Sequence, residues 1–265
     1  MNRLVAVLGI GAAIVIAGAS WAWMQSRAEG GGPPRIIVDI AEAFPDAIFF
    51  KDTRDKVVAL TIDDVPARND PGDSGTQAIL DAIAEHNAGI ADPAEKVHAT
   101  FFVISGQISD GSTILDRIAA AGHEIGNHGD VDGTAASLPP EAFVQELKQS
   151  DARIRSFTGQ PLRWFRPGRG LFNQAMVTAL KAMPGYEPRF ALASMLPVDT
   201  FRGTDNPRFT AWYVTQHIFP GSILLLHGGT PQQSRQTAEA LALILAELKQ
   251  RGYRVTTFSD LWDSH

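Results

Sequence analysis

Val57-Val58-Ala59-Leu60-Thr61-Ile62-Asp63-Asp64 is a nearly continuous β-branched run that stops on two adjacent carboxylates. An apolar run of this length, following a polar stretch, reads as a strand buried on both faces, the kind found in parallel sheets covered by helices. Two neighbouring Asp side chains at a strand end repel each other, so a metal ion or a paired Arg or His is expected to hold them. The plain alternative is an Asx turn, in which Asp caps its own loop.

Outward from this run, strand-like segments recur at 98–104, 123–127, 162–166, 189–194, 222–227 and 253–258. Between them, helical spacing of apolar residues appears near 76–88, 113–121, 141–157, 173–183, 209–219 and 237–251. Strands alternating with helices predict a parallel α/β architecture. Asp63, Asp64, His128, Arg166 and His227 fall at or just past the C-terminal ends of predicted strands, and Asp199 lies a few residues beyond one. In an α/β barrel those ends share one face, and in an open doubly wound sheet they border one crevice; either way the residues converge. No glycine-rich phosphate loop follows the first strand, so nucleotide binding has no support.

Composition narrows the function classes. The 265 residues are 45% hydrophobic, enough for one catalytic domain with a full core. A net charge of −6 without a Lys/Arg run argues against a nucleic-acid partner. The absence of cysteine excludes a disulfide framework, a thiolate metal site and a Cys nucleophile. Residues 4–24 carry no charge and follow Arg3; at 1.5 Å per residue they would span roughly 30 Å, the thickness of a hydrocarbon core. Trp21 and Trp23 stand where an interfacial belt would, so the segment reads as an anchor that leaves the domain outside the cytoplasm, periplasmic or extracellular. Ala17-Gly18-Ala19 offers a signal-peptidase site, and cleavage there would make the protein secreted. The expected organisation is a signal anchor or signal peptide at 1–24, a linker and lead-in at 25–55 containing Gly30-Gly31-Gly32-Pro33-Pro34, and a catalytic domain at 56–265.

His128 and Asp132 are four apart, just after a strand. One helical turn there would point both side chains the same way, so that they share an ion. Imidazole with carboxylates suits zinc, and with one Asp of the 63–64 pair makes three ligands and an open position. Asp130 is the rival, though at i+2 it should face away. A hydrogen bond between His128 and Asp132 in a surface turn is the plain alternative. His86, His98, His123 and His217 are read as structural.

Thr61-Ile62-Asp63-Asp64, Gly122-His123-Glu124-Ile125-Gly126-Asn127-His128 with Asp132, Phe165-Arg166-Pro167, Asp199 and Leu225-Leu226-His227 together resemble, in order and spacing, the motifs of polysaccharide deacetylases, the NodB-homology domains of carbohydrate esterase family 4. The resemblance implies a distorted seven-stranded (β/α) barrel and metal-dependent hydrolysis of N-acetyl groups on an amino-sugar glycan. It implies Asp63 as general base, oriented by Arg166, and His227 as general acid, tuned by Asp199. Asp64, His128 and Asp132 take the ligand positions for a divalent metal, zinc first, with cobalt, nickel or manganese as alternatives. Leu225 would line the acyl pocket, and the backbone N–H of Arg169 would help stabilise the oxyanion. Asp132 stands where the family has a second histidine, Val65 where it has glycine after the pair, and Gly168-Arg169 where a proline and an aromatic are common. The alternatives are a deformylase or other C–N hydrolase acting on a lipid-linked sugar or small amide, and a catalytically silent glycan-binding module.

Overall fold

The structure is a computed structural model and describes residues 31–264. In chain order its elements are α1 (Arg35–Ala43), β1 (Ala47–Ile48), β2 (Val57–Val65), α2 (Ser74–Ala88), β3 (Ala99–Val103), α3 (Ile114–Ala120), β4 (Glu124–Asn127), α4 (Pro140–Thr158), α5 (Gln174–Ala182), β5 (Phe190–Ala191), α6 (Pro207–His217), β6 (Ile223–His227), α7 (Pro231–Gln250), β7 (Arg254–Thr256) and α8 (Phe258–Asp263). The anchor reading of residues 4–24 lies outside the described residues. Among the described residues, no helix is long and apolar enough to cross a membrane.

Strand β2 is central. Every residue of it is buried except Asp64, as expected of a β-branched run covered on both faces. It pairs in parallel with β3 on residues 60–65 and with β6 on residues 59–63, and β7 joins its N-terminal part at 57–59. β4 extends the sheet beyond β3. Outside the sheet, α2 packs along α7, burying Ile79 and Ile83 on one helix and Leu241, Ile244, Leu245 and Leu248 on the other. Helix α7 starts at Pro231, six residues before the apolar periodicity becomes visible. The Thr230 hydroxyl caps it by accepting from the Gln233 N–H. Thr230→Ala is expected to cost about 1 kcal/mol, the usual value of a side-chain N-cap, checked by urea unfolding.

The expected closed seven-stranded barrel is not formed. The sheet of five strands runs β4-β3-β2-β6 with β7 on β2, and β1 and β5 make a separate parallel pair. The segment 162–166, read as a strand, forms one bridge, from Phe165 to Asn127, and its Arg163 and Phe165 carbonyls accept from the N–H groups of Glu187 and Ala191. Arg166 donates from Nε to the Ala191 carbonyl and from Nη2 to the Leu192 carbonyl, so these acceptors serve a guanidinium and not a ladder. The lead-in segment belongs to the packed body: β1 pairs with β5, and Phe50 bridges to Ser222.

Candidate active site

Register puts the first two groups side by side. Asp63 of β2 lies directly opposite His227 of β6, and the Asp63 carbonyl accepts from the Gly228 N–H at 2.7 Å. A Cβ at residue 228 would stand 2.6 Å from Val65 Cγ1, so only glycine lets the two strand ends approach this closely. Consecutive strand residues should face opposite sides of the sheet. Asp64 escapes that alternation because its backbone is left-handed, with φ at 59°, where the register of β2 against β3 shifts. Strained backbone of this kind at a non-glycine residue is typical of functional positions. Asp63 and Asp64 both line one cavity of about 960 Å³.

All nine residues singled out in the sequence line this cavity: Asp63, Asp64, His128, Asp132, Arg166, Arg169, Asp199, Leu225 and His227. Two charged dyads stand within it. The buried Arg166 guanidinium donates to Asp63 Oδ1 at 2.6 Å and to Thr61 Oγ1 at 2.8 Å, and stacks 4.0 Å over the Phe102 ring. Asp199 accepts from the backbone N–H of His227 at 2.7 Å and faces its Nδ1 at 3.1 Å, which leaves Nε2 as the nitrogen able to meet a ligand. Burial alone would lower the pKa of His227, but Asp199, helped by Asp63 and Asp64, pushes it up to about 9. Asp205, also in the cavity wall, accepts from the Gly203 N–H and does not meet His227.

His128 is held by its Nδ1, which lies 2.8 Å from the Arg166 carbonyl. A carbonyl only accepts, so Nδ1 carries the hydrogen. In a neutral ring Nε2 then points a bare lone pair at Asp64 Oδ1, 3.3 Å away, and at Asp63 Oδ2, 3.7 Å away. Lone pair against carboxylate is repulsive unless a cation or a proton lies between them. Burial disfavours the imidazolium, yet these carboxylates outweigh it and the His128 pKa moves up; the same contacts bring that of Asp64 down against the effect of its own burial. The donor chemistry of Asp64 and His128 therefore fits a divalent cation.

Asp132 stands differently. Its Oδ2 receives Arg68 Nη1 at 3.2 Å and its Oδ1 lies 4.0 Å from Arg169 Nη2. Among the described residues, no three His, Asp or Glu side chains stand together as a ligand set. The structure thus joins Asp64 to His128 and gives Asp132 to arginines at the same cavity. Asp130, the rival, is bonded to the Ser105 hydroxyl and does not line the cavity. Arg169 has a left-handed backbone, φ 60°, and a largely exposed side chain. Arg68 went unremarked in the sequence, and Thr61 carried no role there beyond its place in the Asp63-Asp64 motif. His217, read as structural, is part of the cavity wall, its ring stacked on Tyr213 at 4.1 Å. His123 is structural, accepting from the Ala99 N–H, and burial lowers its pKa to about 4.

A family model described as polysaccharide deacetylase matches residues 50–187. The chain is 31% identical over 209 residues to a peptidoglycan-N-acetylglucosamine deacetylase of Bacillus cereus, covering 78% of this chain and 88% of the relative. Among solved structures it resembles a family 4 acetyl xylan esterase from Clostridium thermocellum in complex with a cobalt ion, with a TM-score of 0.65 and 27% identity over 78% of this chain and 90% of that one. It also resembles a CE4 family pseudoenzyme from Bacillus anthracis, with a TM-score of 0.68 and 25% identity over 82% of this chain and 69% of that one.

Proposed function

The chain belongs to the polysaccharide deacetylase family, and on that premise we propose that it hydrolyses N-acetyl groups on the amino sugars of a glycan, with Asp63 as general base and His227 as general acid. The observation that carries this reading is the pair of opposed dyads at neighbouring strand ends: Asp63 with Arg166, and His227 with Asp199. Held by Asp64 and His128, with Asp132 as the third ligand, a divalent cation would supply Lewis acidity toward the acyl carbonyl oxygen and toward water.

Around it the chain's own groups move the protons. Asp63, ion-paired with the Arg166 guanidinium, takes a proton as water adds to the carbonyl carbon. His227, kept protonated by Asp199, gives one to the amine nitrogen as the C–N bond breaks, since an amide anion is too poor a leaving group. Leu225 would lie against the acyl methyl group, and the Arg169 backbone would face the oxyanion.

The test is acetate release from a panel of N-acetylated chitooligosaccharides and peptidoglycan fragments, with zinc added back after chelation. Release that depends on both metal and Asp63 supports the proposal; binding of the glycan without turnover would favour a silent module, as in the pseudoenzyme neighbour. His128→Ala is expected to lower zinc affinity by about 100-fold or more in competition with a chromophoric chelator, because it removes the one imidazole ligand and leaves only carboxylates. For residues 4–24 we propose an anchor that holds the domain outside the cytoplasm. Full-length protein should sediment with membranes and resist alkaline extraction, whereas a soluble species beginning near Trp21 would identify a cleaved signal.

A further inference from the structure

We propose that Arg68 is a positioning residue for the cation site: it occupies Asp132 and offsets the charge of the second carboxylate, so that a divalent cation must take Asp132 from an arginine. The inference rests on the cation reading above and extends it to a residue outside the ligand set.

Arg68 does not reach the site by chance of a free loop. Its backbone N–H donates to the Gly229 carbonyl at 2.8 Å, and the preceding Ala67 N–H donates to Thr76 Oγ1 at 3.1 Å. These bonds tie the loop after β2 to the loop after β6 and to α2, which fixes the Arg68 backbone beside the strand ends. From there the guanidinium crosses the cavity mouth to Asp132, 64 residues further along the chain.

The charge count decides what this does. Asp64 and Asp132 bring two negative charges to a neutral imidazole, which would cancel a divalent cation outright and blunt its pull on a carbonyl oxygen. Adding Arg68 leaves the loaded set with one positive charge. The cost falls on affinity, because Asp132 Oδ2 cannot serve guanidinium and cation equally. Removing Arg68 should tighten cation binding, because Asp132 is then free to turn to the cation.

The experiment is a zinc titration by calorimetry on the full chain, in four forms: parent, Arg68→Gln, Asp132→Asn and the double variant. Because the Arg68–Asp132 pair is half exposed, the expected tightening for Arg68→Gln is about fivefold, the upper end for solvent-exposed ion pairs. In the Asp132→Asn background the same substitution should change affinity by less than about twofold, since the partner it competes for is gone. Equal or weaker zinc binding in Arg68→Gln overturns the inference and leaves the cation site standing. Equal tightening in both backgrounds also overturns it, because the effect is then general charge and not competition for Asp132. Absence of stoichiometric zinc binding in both parent and Arg68→Gln would remove the cation reading itself.

Discussion

Asp63→Asn is expected to lose about 10³-fold in acetate release, within the range for removing a general base, while its zinc affinity stays within a few-fold of the parent. That loss equals about 4 kcal/mol of barrier. The substitution is nearly isosteric, and the site can bear it. Arg166 keeps Thr61 Oγ1 and the carbonyls of Ala191 and Leu192 as acceptors, so its buried charge retains partners when the carboxylate becomes an amide. The nearest cation donors, Asp64 Oδ1 and His128 Nε2, are untouched, and Asp63 stands further from His128 than Asp64 does. A variant that keeps its metal and its melting temperature but not its turnover would place the role of Asp63 in proton transfer. Loss of zinc together with activity would make Asp63 a ligand instead and overturn the assignment. Arg166→Ala is a poorer probe of the chemistry, because it strands Asp63 as a buried unpaired charge, at about 3–5 kcal/mol of stability.

The convergence of the site was legible in the chain, because it follows from where apolar runs end. Asp63, His128 and His227 lie near or just past the C-terminal ends of three parallel strands, and parallel strands place such ends on one edge whether or not a barrel closes. The closure itself was not legible. Segment 162–166 has the apolar and β-branched or aromatic look of a strand, and nothing in its composition tells that Arg166 binds the carbonyls of residues 191 and 192. Nor does periodicity reveal that Asp64 turns left-handed, since asparagine and aspartate tolerate that conformation without any neighbouring glycine to signal it. Helical spacing from His128 selected Asp132 over Asp130, but residues 129–132 form no helical turn, Gly129 being left-handed at φ 87°; Asp132 lines the cavity all the same. Its partner could not be foreseen. Arg68, in the loop after β2, meets Asp132, in the loop after β4, a long-range contact without a local sequence pattern.

His227 gives the second large effect, and its sign follows from Asp199. Burial by itself would make the imidazole neutral at physiological pH, and then no proton would be available for the leaving amine. Asp199 reverses this, raising the pKa of His227 to about 9, so the acid form persists below that value and is lost as pH rises through it. The pH profile of kcat should therefore be bell-shaped, with an alkaline limb that reports His227. In Asp199→Asn the Nδ1 hydrogen bond survives but its charge does not, and burial regains control of the ring. The alkaline limb should move down by about two pH units or more, toward or below the ordinary histidine value of about 6.5. His227→Ala should lose about 10²–10³-fold for amide substrates across the whole range, with zinc content unchanged. It should lose much less for an ester or an activated anilide, whose leaving group departs without a proton. If the alkaline limb stays in place in Asp199→Asn, the acid is not His227. If His227→Ala loses equally for amide and ester, its role is to bind and not to protonate.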